Sequence, residues 1–161
     1  DTRSGTLVHR PPWVEFPAGG RSFTRLNNAA VTLPAIGSGV VVVSLTVPPR
    51  NNGIITGIAN QFVGGGWTEG TAGLSWRLRA DGFPIIGYDN IIASLGSTSN
   101  PSALGINPIR IFENQVIDLT ARNVNILVAG QVLLGILRGK FYPLELEGGR
   151  RHDSLKKYNA N

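Results

Sequence analysis

Residues 74–82 read LSWRLRADG, and this stretch carries the clearest structural signal in the chain. Apolar and polar residues alternate strictly from Leu74 to Ala80, which is the two-residue period of a β-strand with one buried face. Asp81-Gly82 follows as a strong turn dipeptide. The pattern predicts a strand ending in a tight turn. Its inward residues are Leu74, Trp76, Leu78 and Ala80, and its outward residues are Ser75, Arg77 and Arg79.

Two strands are predicted before this stretch. Residues 40–47 are rich in β-branched side chains and end at Pro48-Pro49, where proline cannot donate to a ladder. A turn signal, RNNG at residues 50–53, separates this strand from the next, residues 54–62. The first is predicted to bury Val41, Val43, Leu45 and Val47 on one face. In the second, Ile54, Ile58 and Phe62 are predicted to share a face with Thr56 and Asn60.

Three more strands are predicted in the last third of the chain, at residues 106–112, 115–122 and 131–142. The middle one alternates cleanly, with Ile117, Leu119 and Ala121 on one face and Asp118, Thr120 and Arg122 on the other. The last places Leu133, Leu137 and Phe141 opposite Arg138 and Lys140.

The glycine and proline content agrees with a chain built from strands. No segment of helical length has convincing helical periodicity, and 21 glycines with 10 prolines disfavour long helices. Seven or eight strands at short spacing predict an all-β protein, an antiparallel β-sandwich of the jelly-roll type. A chain of 161 residues suits a single domain.

The excess charge lies in the two terminal segments. Residues 1–30 hold four basic and two acidic residues, residues 148–161 hold four and one, and residues 31–147 hold seven of each. We therefore predict an extended N-terminal arm at 1–30, a β-sandwich domain at 31–147 and a basic C-terminal tail at 148–161. The arm is expected to include short strands near residues 13–16 and 22–26. The arms carry too few charges for a typical nucleic-acid-binding tail, so protein partners are favoured over nucleic acid.

The amino-acid composition limits which functions are possible. Charged residues make up only 16% of the chain, which predicts that partners cover part of the surface. The absence of cysteine excludes disulfides, thiolate chemistry and cysteine-based zinc sites. No apolar run approaches the length of a membrane span, so no membrane partner is predicted.

The run FVGGGWTEG at residues 62–70 raises the question of an active site. It lacks the lysine of a phosphate-binding loop and the helix of a dinucleotide fingerprint. Glu69 has no second carboxylate tied to it, although a two-carboxylate enzyme stays as a minor alternative. His9 and His152 lie in opposite terminal segments and form no metal-ligand pattern. We predict no enzymatic activity, no cofactor and no metal site.

Aromatic residues leave a carbohydrate-binding module as the alternative from another class. Trp67, Phe83 and Tyr88 are its candidates. The competing interpretation of Trp67 is that it seals the end of the sandwich or contacts a neighbouring subunit.

A family resemblance covers about residues 40–143. The segments RADGFPI, ENQVIDLTARN and GKFYP, in this order, resemble small jelly-roll structural proteins of tailed-phage virions. Proteins of this kind decorate or cement capsids, or belong to the neck and tail. The resemblance implies an assembly role without an active site, and it carries over no functional residue.

The resulting hypothesis is a non-enzymatic virion structural protein. We expect a capsid decoration or cement protein on the capsid surface, assembled in the host cytoplasm, that binds the major capsid protein and neighbouring copies of itself, with a trimer favoured. A neck, tail or receptor-binding component is the alternative within the virion. The predicted partner-binding residues lie in the two terminal segments and the glycine-rich loop: Trp13, Phe16, Phe23, Trp67, Arg150, Arg151, Lys156 and Lys157.

Overall fold

The chain is described by a computed structural model, which covers residues 20–27, 29–96, 102–103, 108–128 and 130–144. The protein is all-β, and two antiparallel sheets pack as a sandwich. The strands of the described residues are β1 (Arg21–Leu26), β2 (Val31–Thr32), β3 (Gly39–Thr46), β4 (Asn51–Val63), β5 (Leu74–Ala80), β6 (Phe83–Pro84), β7 (Ser102–Ala103), β8 (Ile109–Ile111), β9 (Val116–Asn123) and β10 (Val132–Pro143).

Each sheet is built from strands that are distant in sequence. Sheet A has the order β1-β10-β4-β7, with β2 also paired to β10 and β8 also paired to β4. Sheet B has the order β3-β9-β5-β6. The chain changes sheet from β2 to β3, from β3 to β4, from β4 to β5, from β6 to β7, from β8 to β9 and from β9 to β10.

The core lies between the sheets, and the alternation of β5 and β9 is confirmed. Leu74, Trp76 and Leu78 are fully buried, while Arg77 is exposed. The indole nitrogen of Trp76 is buried without a hydrogen-bond partner in the described part of the chain, so this ring contributes through apolar packing. The other fully buried apolar side chains of the core include Val47, Ile55, Ile58, Ile117, Leu119, Leu133 and Leu137.

Two β-bulges shift the alternation of β3 and β4. In β3 the register slips between Val41 and Val43, so Val41 is 47% exposed, and the prediction that it shares the buried face is wrong. In β4 the register slips at Thr56, opposite the Arg138–Gly139 step of β10. Ile55 rather than Ile54 therefore joins the core cluster. A bulge sets two residues against one, which reverses the facing of every residue beyond it.

The predicted short strand near residues 22–26 is present as β1, and it is an edge strand of the sandwich. It pairs with β10 from Arg21↔Phe141 to Leu26↔Ile136. Phe23, which the sequence assigned to contacts with a neighbour, stacks on Phe141 with ring centroids 4.3 Å apart. Residues 21–26 thus belong structurally to the sandwich, because the unpaired side of β10 offers them a hydrogen-bond ladder.

Tyr142 provides a test of the packing at the end of β10. It is buried, its ring lies against Gly20, and burial raises the pKa of its phenol above the ordinary 10.0. The unfolded chain would ionise first, so the stabilising contribution is complete below pH 10 and is lost as the pH rises toward the raised pKa. We expect the phenolate absorbance of Tyr142, obtained as wild type minus Tyr142→Phe, to titrate above pH 10. A difference titration centred at or below 10 would contradict the burial.

Candidate functional site

Three loops converge at one end of the sandwich, where β4, β9 and β10 reach the same edge. They are residues 33–38, residues 63–67 and, in the third loop, the described residues 123–128 and 130–131. The amide of Gly37 donates to the carbonyl of Asn123 at 2.7 Å, and the amide of Leu33 donates to the carbonyl of Gln131 at 3.0 Å. The side-chain nitrogen of Gln131 donates to the carbonyl of Gly65 at 3.2 Å. These bonds tie the three loops into one surface.

Asn123 fixes two of these loops from inside the protein. Its side-chain nitrogen donates to the carbonyls of Pro34 (2.9 Å) and Ile126 (3.0 Å), and its side-chain oxygen accepts from the amide of Ile126 at 2.8 Å. The residue is only 2% exposed. A buried amide satisfied on both ends holds its partners in one arrangement, because leaving any of them unpaired is costly.

The outer surface of these loops is apolar and uncharged. None of the residues 33–38, 63–67 and 123–131 is Asp, Glu, Lys or Arg. Leu127 is 85% exposed and Val128 is 51% exposed. We call this surface the apolar end, and define it by its exposed large apolar side chains: Ile36, Val63, Val124, Leu127 and Val128.

The glycine-rich run belongs to this end of the molecule. Gly66 has a φ of 95°, and a Cβ there would lie 2.9 Å from Val128, so glycine allows the loop to approach residues 126–128 closely. Trp67 packs against the core cluster, with its ring edge-to-face to Phe62 at 5.6 Å, and its indole nitrogen donates to the carbonyl of Thr71 at 3.3 Å. This packing fits the interpretation that Trp67 seals the sandwich end; the ring is partly exposed, so a contact with a neighbouring subunit stays a prediction.

The aromatic residues considered for sugar binding are separated. Trp67 lies before the start of β5, whereas Phe83, 76% exposed, lies beyond the opposite end of that strand. Tyr88 is partly buried and packs against the core. The six residues of β5 after Leu74 span about 20 Å. Trp67 and Phe83 consequently do not form one stacking platform.

Titratable groups form no concentrated centre in the residues that the structure describes. Glu69 is exposed in a turn, and the next residue, Gly70, donates its amide to the carbonyl of Ile92 at 2.8 Å. Among the described residues there is no group of three or more His, Asp or Glu side chains placed to hold a metal ion. Within the same residues, no helix has the length and apolar character needed to cross a membrane.

Most predicted partner-binding residues lie outside the described part of the chain. These are Trp13, Phe16, Arg150, Arg151, Lys156 and Lys157. Trp67 and Phe23 are described, and both pack within this chain. Sequence reasoning missed the apolar end, although a signal existed: the three segments 33–38, 63–67 and 123–131 contain no charged residue.

Comparison with known proteins gives no family. The sequence matches no protein-family model, and a search of curated proteins found no significant match.

Proposed function

We propose that the chain is a non-enzymatic structural protein of a virion, a capsid decoration or cement protein that binds the major capsid protein and neighbouring copies of itself. The apolar end is the observation that carries this proposal. Leu127 and Val128 are exposed there, and hydrogen bonds of the Asn123 and Gln131 side chains hold the surrounding loops in place. A rigid apolar surface loses little entropy when a partner covers it.

The apolar end has the composition of the buried centre of a protein interface. Such centres are depleted of charged residues, and exposed apolar patches on a soluble domain mark sites of association. Charged residues make up only 16% of the whole chain, which is consistent with a surface covered by partners. In a decorated shell, many copies repeat the same contact, so that each contact can be weak.

The strand order supports the jelly-roll part of the proposal. The main paths of the two sheets follow the orders β1-β10-β4-β7 and β3-β9-β5-β6, and the chain changes sheet at each step from β2 to β5 and again from β9 to β10. Jelly rolls, which are double Greek-key sandwiches, occur in viral capsid proteins and in lectins. A fold alone does not assign a function, so the main support for the proposal is the apolar end.

Co-sedimentation with capsid shells that lack the protein tests the proposal. We expect the wild-type chain to pellet with the shells and Leu127→Glu to bind roughly tenfold more weakly or worse, because the interface would bury an unpaired carboxylate. Ile86→Glu is the matched control. Ile86 is 96% exposed and lies in the loop beyond the opposite end of β5, so its replacement should leave binding unchanged.

Two outcomes would contradict this assignment. If Ile86→Glu abolished binding and Leu127→Glu did not, the contact would lie at the opposite end. If the wild-type chain failed to pellet with any shell, the decoration role would be wrong, and a neck or tail role would be the next to test. Light scattering of the free protein measures the self-association part of the proposal separately.

A further inference from the structure

The outer face of sheet B carries three arginines. They are not apparent from the net charge of residues 31–147, which is zero. Arg77 and Arg79 project from β5, and Arg122 projects from the neighbouring strand β9. One carboxylate, Asp118, lies on the same face, where its Oδ1 accepts from the hydroxyl of Ser44 at 2.6 Å. The outward side chains of β5 and β9 therefore have an excess of two positive charges, although residues 31–147 as a whole are neutral.

Two of the guanidinium groups are held by backbone carbonyls. Nε of Arg77 donates to the carbonyl of Asp89 at 2.8 Å, and Nε of Arg79 donates to the carbonyl of Gly82 at 2.9 Å. Nη2 of Arg79 donates to the same carbonyl. These bonds fix the orientation of both side chains, and within the described part of the chain they leave both Nη groups of Arg77 and Nη1 of Arg79 without a further hydrogen bond. Arg122 forms no hydrogen bond with the other described residues, and none of the three is in an ion pair with them.

A shallow depression lies between these side chains. Its volume is about 230 Å³, and the three arginines, Val41, Ser75 and Thr120 contribute to its lining. The bulge in β3 turns Val41 outward into it. The depression thus combines guanidinium donors with an aliphatic side chain, which suits a ligand that is anionic at intervals and has methylene groups between its charges.

The register sets the spacing of the charges. Arg77 and Arg79 are two residues apart on one strand, which separates their Cα atoms by about 6.6 Å. Arg77 lies opposite Thr120, so Arg122 is its diagonal neighbour at about 7–8 Å. Alternate residues of an extended peptide are also about 6.6 Å apart and point to the same side. Carboxylates at alternate positions of such a peptide therefore match the spacing of the Cα atoms of Arg77 and Arg79.

We propose that the outer face of sheet B, through Arg77, Arg79 and Arg122, binds an extended acidic segment of a neighbouring protein chain whose carboxylates occur at alternate positions. Arginine favours this partner because its planar fork matches a carboxylate. Single-stranded nucleic acid is disfavoured, since the described lining of the depression contains no aromatic ring for base stacking. A single small anion is disfavoured because Arg77 and Arg79 are anchored to different carbonyls rather than directed at one point. This site is independent of the virion proposal.

Fluorescence anisotropy with a labelled peptide of alternating glutamate and threonine tests the proposal on the full chain. We expect saturable binding that weakens as salt is added. Each exposed pair contributes modestly, so the double variant Arg77→Gln/Arg122→Gln should bind about threefold to tenfold more weakly. Arg122→Gln alone provides a variant that removes no internal hydrogen bond. Arg138→Gln is the control, because Arg138 is exposed on sheet A.

Further peptides and competitors test which chemical groups of the ligand the site recognises. A peptide with glutamine in place of glutamate should not bind, and a peptide with the same composition but clustered glutamates should bind more weakly. Equal binding by the clustered peptide would overturn the register match. Equal loss of affinity in Arg138→Gln would overturn the location. Displacement by oligothymidylate or inorganic phosphate at lower concentration than by unlabelled peptide would overturn the choice of a protein segment.

Discussion

Replacing Asn123 by alanine is expected to lower the free energy of unfolding by about 3–5 kcal/mol. The side chain makes three hydrogen bonds, to Pro34 and to both backbone groups of Ile126, in a position sealed from solvent. Alanine would leave those partners without a donor or acceptor, and each buried unsatisfied group costs about 1–3 kcal/mol. Chemical denaturation of the variant and the wild type measures the difference.

The control for this prediction is Asn125→Ala, two residues further along the same loop. Asn125 is exposed, and its side chain makes no hydrogen bond with the described residues. Its replacement should change the unfolding free energy by no more than about 0.5 kcal/mol. Similar losses in the two variants would show that loop composition, rather than the buried amide, holds this end of the sandwich. In Asn123→Ala we also expect weaker shell binding at a temperature where the variant remains folded, because Ile126 lies between Val124 and Leu127 of the apolar end.

Replacing Gly139 by alanine is expected to cost about 3 kcal/mol of unfolding free energy, at the upper end of the usual range for overpacking. Gly139 pairs with Ile55 of β4 and with Phe23 of β1, at the bulge in sheet A. A Cβ there would collide with the carbonyl of Ile54 and would lie 2.8 Å from the ring of Phe23. A backbone carbonyl in a hydrogen-bonded ladder cannot move aside without disturbing the pairing of β10 with β4.

Gly135→Ala in the same strand supplies the comparison. Its Cβ would approach only side-chain methyl groups, those of Leu119 and Val43 at 2.8 Å, and these can shift by a few tenths of an ångström. We expect a loss nearer 1 kcal/mol. Thermal and denaturant unfolding of both variants measures the difference. A cost for Gly135→Ala equal to or above that of Gly139→Ala would contradict the close approach at the bulge.

Local alternation explains which parts of the fold were predictable. In β5 and β9 every second residue is apolar, and the two-residue period of a strand converts this directly into buried and exposed faces. The prediction that Trp76 and Leu119 face the core was therefore correct. The bulges at Val42 and Thr56 were not predictable, because the inserted residues are β-branched strand formers and each extra residue is defined only by the partner strand.

The candidate site was predictable only in part. Asn123 continues the inward phase of Leu119 and Ala121, which is a signal that the polar side chain is buried and bonded. Its partners, Pro34 and Ile126, are distant from each other in sequence and meet only through the packing of loops. Trp67 was left between two interpretations; its packing on Phe62 fits closure of the sandwich end, and a contact with a neighbouring subunit stays a prediction.

The sequence by itself determined the all-β class, the facing of β5 and β9, and the outward direction of Arg77, Arg79 and Arg122, because each follows from local periodicity. Only the tertiary structure decided that these arginines lie side by side, since register between β5 and β9 sets which outward residues are neighbours. It also decided that three uncharged loop segments form one apolar end, because they are brought together by hydrogen bonds between parts of the chain that are far apart in sequence. Periodicity is a property of neighbouring residues, whereas a surface is a property of strands that pair across long sequence separations.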